Sequence, residues 1–259
     1  AMTVGDDQLI DELSAALGDA DPQGVVLSFD GDGTLWSGDV GEDLMREALS
    51  EQFLREEALP ALLQEAERHG VALNGAHDAN AVAGTLVAAY LAGQYPERET
   101  CEMMTWCYAG RTVAEVQALA ASVLQEEGLS DRLHDELEPI LEWSRGRGLR
   151  SVLISASPRA IVEPAAELWG FAAADVAAST PAVEAGRVLP RMATPVPYAE
   201  NKLRAGRGLF GNARWLAAFG DNVFDIDMLT TAEVGVAVRP KPKLLSEVTA
   251  LKLRLLARA

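Results

Sequence analysis

The chain has 259 residues, of which 49% are hydrophobic and 24% charged, a balance that excludes intrinsic disorder and allows a sizeable buried core. Its 39 acids outnumber its 22 bases, giving a net charge of −17, so nucleic acid and anionic membrane surfaces are repelled, and no basic stripe offsets this. No apolar run approaches the roughly 20 residues that span a bilayer.

The first residues, AMTVGDDQLIDELSAAL, are acidic and lack the basic-then-apolar pattern of a secretory leader, which makes a cytoplasmic location the expectation. A helix is predicted from Asp7 to Leu17. GVVLSFD, residues 24–30, is a continuous apolar run ending in an acid. It reads as a parallel strand buried on both faces. From residue 40 to about 147 the periodicity is helical almost throughout, with no convincing strand. Cys101 and Cys107 fall in this stretch at a spacing that matches neither CxxC nor a zinc site, so both read as reduced core thiols. The three histidines are scattered and receive no role.

Strands and helices alternate again from residue 149. LRSVLIS is a strand, PRAIVEPAAELWGF a helix and ADVAAS a short strand. PAVEAGRVLP is a hairpin turning at Gly186, and YAENKLRAGRGLF is a helix. ARWLAAFGD is a strand, VFDIDMLTTA a helix and EVGVAV a strand, with a closing helix from Lys241. This alternation implies an α/β fold with a doubly wound, Rossmann-like parallel sheet. Residues 1–38 and 148–259 form its core, and residues 39–147 form an all-helical insertion after the first strand.

Ligands of open parallel sheets bind at the carboxyl ends of the strands. Three predicted strands end in reactive groups: FDGDGT with Asp30 and Asp32, ISAS with Ser155 and Ser157, and FGD with Asp221. Asp225 comes a helical turn later, and Lys202 opens a helix. Each has a plainer explanation, as a turn, a cap or a solvated charge. A calcium loop over DGDGTLWSGDVGE fails, because Leu35 takes the place of the required glycine and Gly41 that of the glutamate. The plainer explanations do not account for the joint order.

DGDGT, ISAS, NK and GDNVFD, in this order, resemble the four motifs of the haloacid dehalogenase superfamily, phosphatase branch, over residues 24–238. ISASPRAIVEP and PYAENK are similar to the phosphoserine-phosphatase-like group, whose helical cap is inserted between the first and second motifs. The resemblance implies a magnesium-dependent phosphomonoester hydrolase with Asp30 as nucleophile and Asp32 as general acid and base. It implies Mg2+ on the Asp30 carboxylate, the Asp32 backbone carbonyl and Asp221, with Asp225 orienting Lys202 or a metal-bound water and Asn222 beside it. Ser155 and Lys202 hold phosphoryl oxygens, and Gly33, Thr34, Ala156 and Ser157 lie near enough to touch the substrate. Dehalogenases of this superfamily lack the second aspartate of the first motif, so Asp32 favours phosphoryl chemistry.

The chemistry stands without the family. A carboxylate attacking a phosphate dianion meets like charge, which a hard cation relieves. An acid two residues away reaches the bridging oxygen, and a covalent intermediate divides one slow hydrolysis into two steps. The expected partner is a small phosphorylated substrate, phosphoserine or another amine-bearing phosphate. Asp39 falls where the resemblance places an acid for the substrate ammonium, although acids also favour helix N-termini. The cap arginine for a substrate carboxylate is missing from CEMMTWCYAG, and Arg159 is another candidate substrate contact. A phosphotransferase, or a silent magnesium- or phospho-ligand-binding module, would share every one of these residues. Oligomeric state is not legible.

Overall fold

In a computed structural model of the protein, which describes residues 2–259, the apolar run Val25–Phe29 is a strand buried at every position. Preceding it are a two-residue strand β1 (Thr3–Val4) and helix α1 (Asp6–Leu17), so the apolar run is β2. Six helices come next: α2 (Val40–Ser50), α3 (Leu59–Arg68), α4 (Ala79–Leu91), α5 (Glu97–Trp106), α6 (Val113–Glu126) and α7 (Glu138–Gly146). The chain then re-enters the sheet through β3 (Arg150–Pro158), α8 (Arg159–Glu167) and β4 (Val176–Ser179). A hairpin, β5 (Pro181–Glu184) and β6 (Arg187–Met192), leads to α9 (Asn201–Phe210), β7 (Arg214–Gly220), α10 (Ile226–Thr231) and β8 (Val234–Ala237). Helix α11 (Pro242–Glu247) and strand β9 (Arg254–Leu256) close the chain.

Seven strands form one parallel sheet in the order β1-β9-β8-β7-β2-β3-β4, with helices on both sides. This is the doubly wound, Rossmann-like architecture expected. β2 lies between β3 and β7, beside the point where the winding reverses, and their carboxyl ends open one crevice. Phe29 and Phe219, each close to a reactive aspartate, stack with centroids 4.4 Å apart, which locks β2 against β7 beneath the site. No helix among the described residues is long and apolar enough to cross a membrane.

Four details depart from the sequence reading. Both termini are strands: β9 pairs with β8 and β1 pairs with β9, where the sequence predicts a helix from Lys241 to the end. Parallel pairing of two or three residues leaves no periodicity to read. Helix α9 starts at Asn201 rather than Tyr198, and a 3-10 turn over Val223–Asp225 precedes α10. Helix α7, expected with the insertion, packs on α1 and β3. The hairpin turns at Ala185 and Gly186, both at positive φ, as a two-residue turn between twisted strands requires. Its backbone bonds to the helical stretch, with Gly110 N–H donating to Val188 O and Val188 N–H to Arg111 O.

Candidate active site

Asp30 comes directly after β2, and its backbone N–H donates to Phe219 O at 2.9 Å. The buried carboxylate takes a hydrogen bond from Lys202 Nζ on Oδ1 at 2.6 Å and from Thr34 Oγ1 on Oδ2 at 3.2 Å. Lys202, on the first turn of α9, also donates to Asp225 Oδ1 at 2.6 Å and to Ile154 O at 3.3 Å. Asp225 Oδ2 accepts the backbone N–H groups of Asp221 and Asn222 at 3.1 and 3.0 Å. Its close approach depends on Gly220, where a Cβ would stand 2.6 Å from that of Asp225. Gly33 sits at φ 81°, and a Cβ there would meet Asp221 Oδ2 at 2.2 Å. The turn after β2 thus brings backbone against the Asp221 carboxylate.

Asp32 is held on three sides. Oδ1 accepts Trp36 Nε1 and Val40 N–H, each at 2.8 Å, and Oδ2 accepts the Ser157 hydroxyl at 2.5 Å. Asp39 caps α2 by accepting Glu42 N–H at 2.8 Å. Burial dominates the electrostatics of these acids. It pushes Asp30 up to about 7, with the charge of Asp225 adding and Lys202 opposing. Burial and then Asp39 push Asp32 to about 7, and burial pushes Asp39 to about 6. Burial, then Asp30 and Asp225, push Asp221 to about 9. Burial works against the charge on Lys202, but Asp225 and Asp30 outweigh it and hold the ammonium above its ordinary value.

The resemblance implies magnesium, and the donor set can be weighed for it. One carboxylate oxygen from each of Asp30, Asp221 and Asp225 lies within 4.8 Å of the others. Of these three carboxylates Lys202 pairs with Asp30 and Asp225, and Lys241 Nζ is 3.8 Å from Asp221 Oδ2. Three buried carboxylates against one close ammonium leave negative charge that a hard divalent cation with oxygen ligands would offset. The residues fit. Asp225 accepts three hydrogen bonds and Asp30 two, the one from Thr34 long at 3.2 Å, so Asp221 and then Asp30 offer the freer lone pairs. The Asp32 carboxylate faces Trp36 and Ser157 instead, and only its backbone carbonyl remains as the expected ligand.

A small cavity of about 70 Å³ collects Asp30, Asp32, Asp39, Ala156, Ser157, Lys202, Asp221, Asn222 and Asp225. Ser155 lies beneath it, 1% exposed, its Oγ accepting Ser157 N–H at 3.1 Å. Thr34 is likewise buried below. Arg159 is placed elsewhere. It bonds to Thr180, Glu163 and Val176 O and lines a separate apolar cavity between α6, α8 and the hairpin.

Several wall residues escaped the sequence reading. Glu97 and Cys101 of α5, Tyr198, Phe224 and Lys241 all line the cavity. Cys101 is therefore not a core thiol, whereas Cys107 is fully buried. Tyr198 and Phe224 pack at 4.3 Å, and Lys241 N–H donates to Asp221 O at 2.8 Å. His134 has a task after all: its Nδ1 lies 2.7 Å from Thr34 O. Burial and Arg239 lower its pKa, keeping the ring neutral with Nδ1–H as the donor. The one usable signal was helical spacing, since Glu97 and Cys101 are four apart on one face.

The haloacid dehalogenase-like hydrolase family matches residues 27–230. No protein of curated function matches the chain. A solved protein of unknown function from Bordetella pertussis Tohama I is 18% identical, with a TM-score of 0.66 over 90% of this chain and 98% of that one. A functionally unknown protein from Anaerococcus prevotii DSM 20548 is 16% identical, with a TM-score of 0.67 over 98% and 92%. A substrate-bound phosphoserine phosphatase is 15% identical, with a TM-score of 0.54 over 90% and 92%. At these identities the likeness is one of fold.

Proposed function

The chain belongs to the haloacid dehalogenase-like hydrolases, and from that premise we propose that it hydrolyses a small phosphomonoester through an aspartyl-phosphate on Asp30. The observation that carries this reading is Asp30 at the end of the central strand, bonded to Lys202 and beside a separately held Asp32. Mg2+, held by Asp30, Asp221 and the Asp32 carbonyl, would supply the positive charge that offsets repulsion between carboxylate and phosphate dianion.

Asp30 attacks phosphorus, a P–O bond forms to its carboxylate, and the bond to the leaving alcohol breaks. Asp32, with a pKa near 7, protonates that alcohol. It then removes a proton from the water that attacks the aspartyl-phosphate, which releases phosphate and restores Asp30. Lys202 neutralises charge on the transferring oxygens, and Asp225 fixes the position of Lys202. Ser157 and Trp36 orient Asp32 toward the bridging oxygen. Helices α2–α6 act as a cap that excludes water and bulky substrates.

Asp39 and Glu97 favour an amine-bearing substrate, and burial raises both acids. The lysines lining the cavity, Lys202 and Lys241, both face aspartates, and Arg98 is paired with Glu200 at 2.9 Å. Lys202 and Arg98 are held by their partners, whereas Lys241, with its side chain 58% exposed and 3.8 Å from Asp221, can still reach a substrate carboxylate. A phosphorylated amino alcohol and phosphoserine both fit this lining.

Turnover of an aryl phosphate is expected with Mg2+ and is expected to stop with a chelator. A folded, magnesium-loaded protein that hydrolyses no phosphomonoester would overturn the reading. Asp32→Asn is expected to cost roughly 10²–10⁴-fold on an alkyl phosphate, whose leaving group needs the proton. In kcat/KM, which reports the transfer step, it should cost much less on an aryl phosphate, while kcat falls on both as the second step loses its base. Wild-type turnover of the alkyl ester should fall above about pH 7 as Asp32 loses its proton. Equal losses in kcat/KM on both esters would remove Asp32 from the acid role.

A further inference from the structure

A second cavity, of about 270 Å³, lies between α2, α4 and α5. It shares two walls with the catalytic cavity. Along α2, Asp39 lines the catalytic side, while Glu42, Met45 and Leu49 line the second cavity at spacings of three, three and four, with Arg46 at its edge held by Asp43 and Glu127. Along α5, Glu97 and Cys101 line the catalytic cavity and Met104 the second. Residues so spaced share one helix face, so both walls run continuously from one cavity into the other. Met45 is about 9 Å from Asp39 along the axis of α2.

Tyr90 is on the wall formed by α4. It lines the second cavity, and after burial the charges of Glu97, Glu42 and Asp39 hold its hydroxyl above its ordinary pKa. The far wall is α4, ANAVAGTLVAAYL, which has no charged residue. One side of α4 is buried through Val82, Ala83, Leu86 and Ala89. Its other side keeps Val87 and Leu91 apolar, with Leu91 73% exposed. The two methionines supply an adaptable lining.

We propose that this slot holds an apolar chain on the alcohol portion of the substrate, so that the enzyme acts on phosphate monoesters with a polar, amine-bearing end and an aliphatic extension. The inference rests on the phosphomonoesterase reading and names its substrate class. The acidic neck of Asp39, Glu42 and Glu97 receives the polar part nearest the phosphate. The slot then removes the extension from water, with a gain proportional to the apolar area covered.

The test is calorimetric binding of a series of n-alkylphosphonates, from ethyl to octyl, to the magnesium-loaded protein, alongside hydrolysis of the matching alkyl phosphates. Once the chain reaches the slot, affinity is expected to rise about threefold to fourfold per methylene, and KM to fall in parallel. Val87→Trp, which fills the slot, and Leu91→Glu, a change at an exposed position, are both expected to flatten that rise. An ethylphosphonate that binds, with longer chains no tighter, overturns the slot and leaves the phosphatase reading standing. A series in which nothing binds and nothing is hydrolysed overturns both.

Discussion

Asp30→Asn is expected to abolish turnover of every phosphomonoester, by at least roughly 10⁴-fold, while leaving a folded protein. An amide nitrogen and a carbonyl oxygen are too weakly nucleophilic to displace an alcohol from phosphorus, and no other side chain occupies that place at the end of β2. The fold should survive because the wild-type carboxylate is not a comfortable buried charge. Burial and Asp225 push it up to about 7, so the folded protein holds that proton more tightly than the unfolded chain does. Metal-free wild type should therefore lose stability as pH rises from about 4 towards 7, and Asp221 extends the loss towards about 9. Asn carries no charge and removes the Asp30 share. Without metal at pH 8, the variant is expected to melt at or above the wild-type temperature, with the difference narrowing at pH 5. With Mg2+, wild type should gain several degrees and the variant clearly less, because one of its carboxylate ligands is gone. Initial rates and thermal unfolding at both pH values, with and without Mg2+, measure all of this. Surviving turnover would remove Asp30 as the nucleophile, and an equal magnesium shift in both proteins would remove it as a ligand.

The floor of the site was legible in the sequence because its chemistry is tied to strand ends. An apolar run such as Val25–Phe29 is a buried parallel strand with few competing readings, and the residues just past its carboxyl end must face the crevice. Asp30, Asp221 and Lys202 could therefore be brought together before any geometry was known. The walls were not legible. Glu97 and Cys101 sit on a helix whose register against the core depends on packing against residues remote in the chain, and Lys241 comes from a loop after β8. Arg159 shows the converse failure: one turn after Ser155 in sequence, its side chain leaves on the other side of α8 toward Thr180 and Glu163. Spacing along the chain gives proximity to a strand end, but which side a long side chain takes is decided by its partners, here Glu163 one helical turn on and Thr180 21 positions away.

The same separation governs the insertion. Its helices arise from their own periodicity and caps, such as the reciprocal Thr112–Glu115 box that starts α6. Its attachment does not. The hairpin bonds to residues 110–113, and Arg98 pairs with Glu200 across 102 positions. These contacts fix how the acidic wall of α5 sits over the aspartates.

Lys202→Met is expected to combine a large loss of activity with a pH-dependent loss of stability. Lys202 is 3% exposed and lies 2.6 Å from both Asp30 and Asp225. Met keeps most of the length and removes the ammonium, leaving two buried carboxylates without their close cation. Removing one partner of such a buried pair typically costs roughly 3–5 kcal/mol, because the remaining charge is uncompensated. The cost depends on ionisation. Without the lysine, Asp30, whose proton burial already favours, holds it still more tightly in the folded state, so the variant loses stability as pH rises and approaches wild type toward pH 5. Mg2+ should recover part of the loss at pH 8 by taking over as the counter-charge. Activity should fall by roughly 10²–10³-fold even with metal, since the charge on the transferring oxygens has lost a donor. Lys202→Arg should not rescue it, because the planar guanidinium cannot place one nitrogen between two carboxylates in a space shaped for an ammonium. Denaturant unfolding at pH 5 and pH 8, with and without Mg2+, reads the stability half. A loss independent of pH would mean that Lys202 serves packing, and that the three aspartates are balanced by something other than its charge.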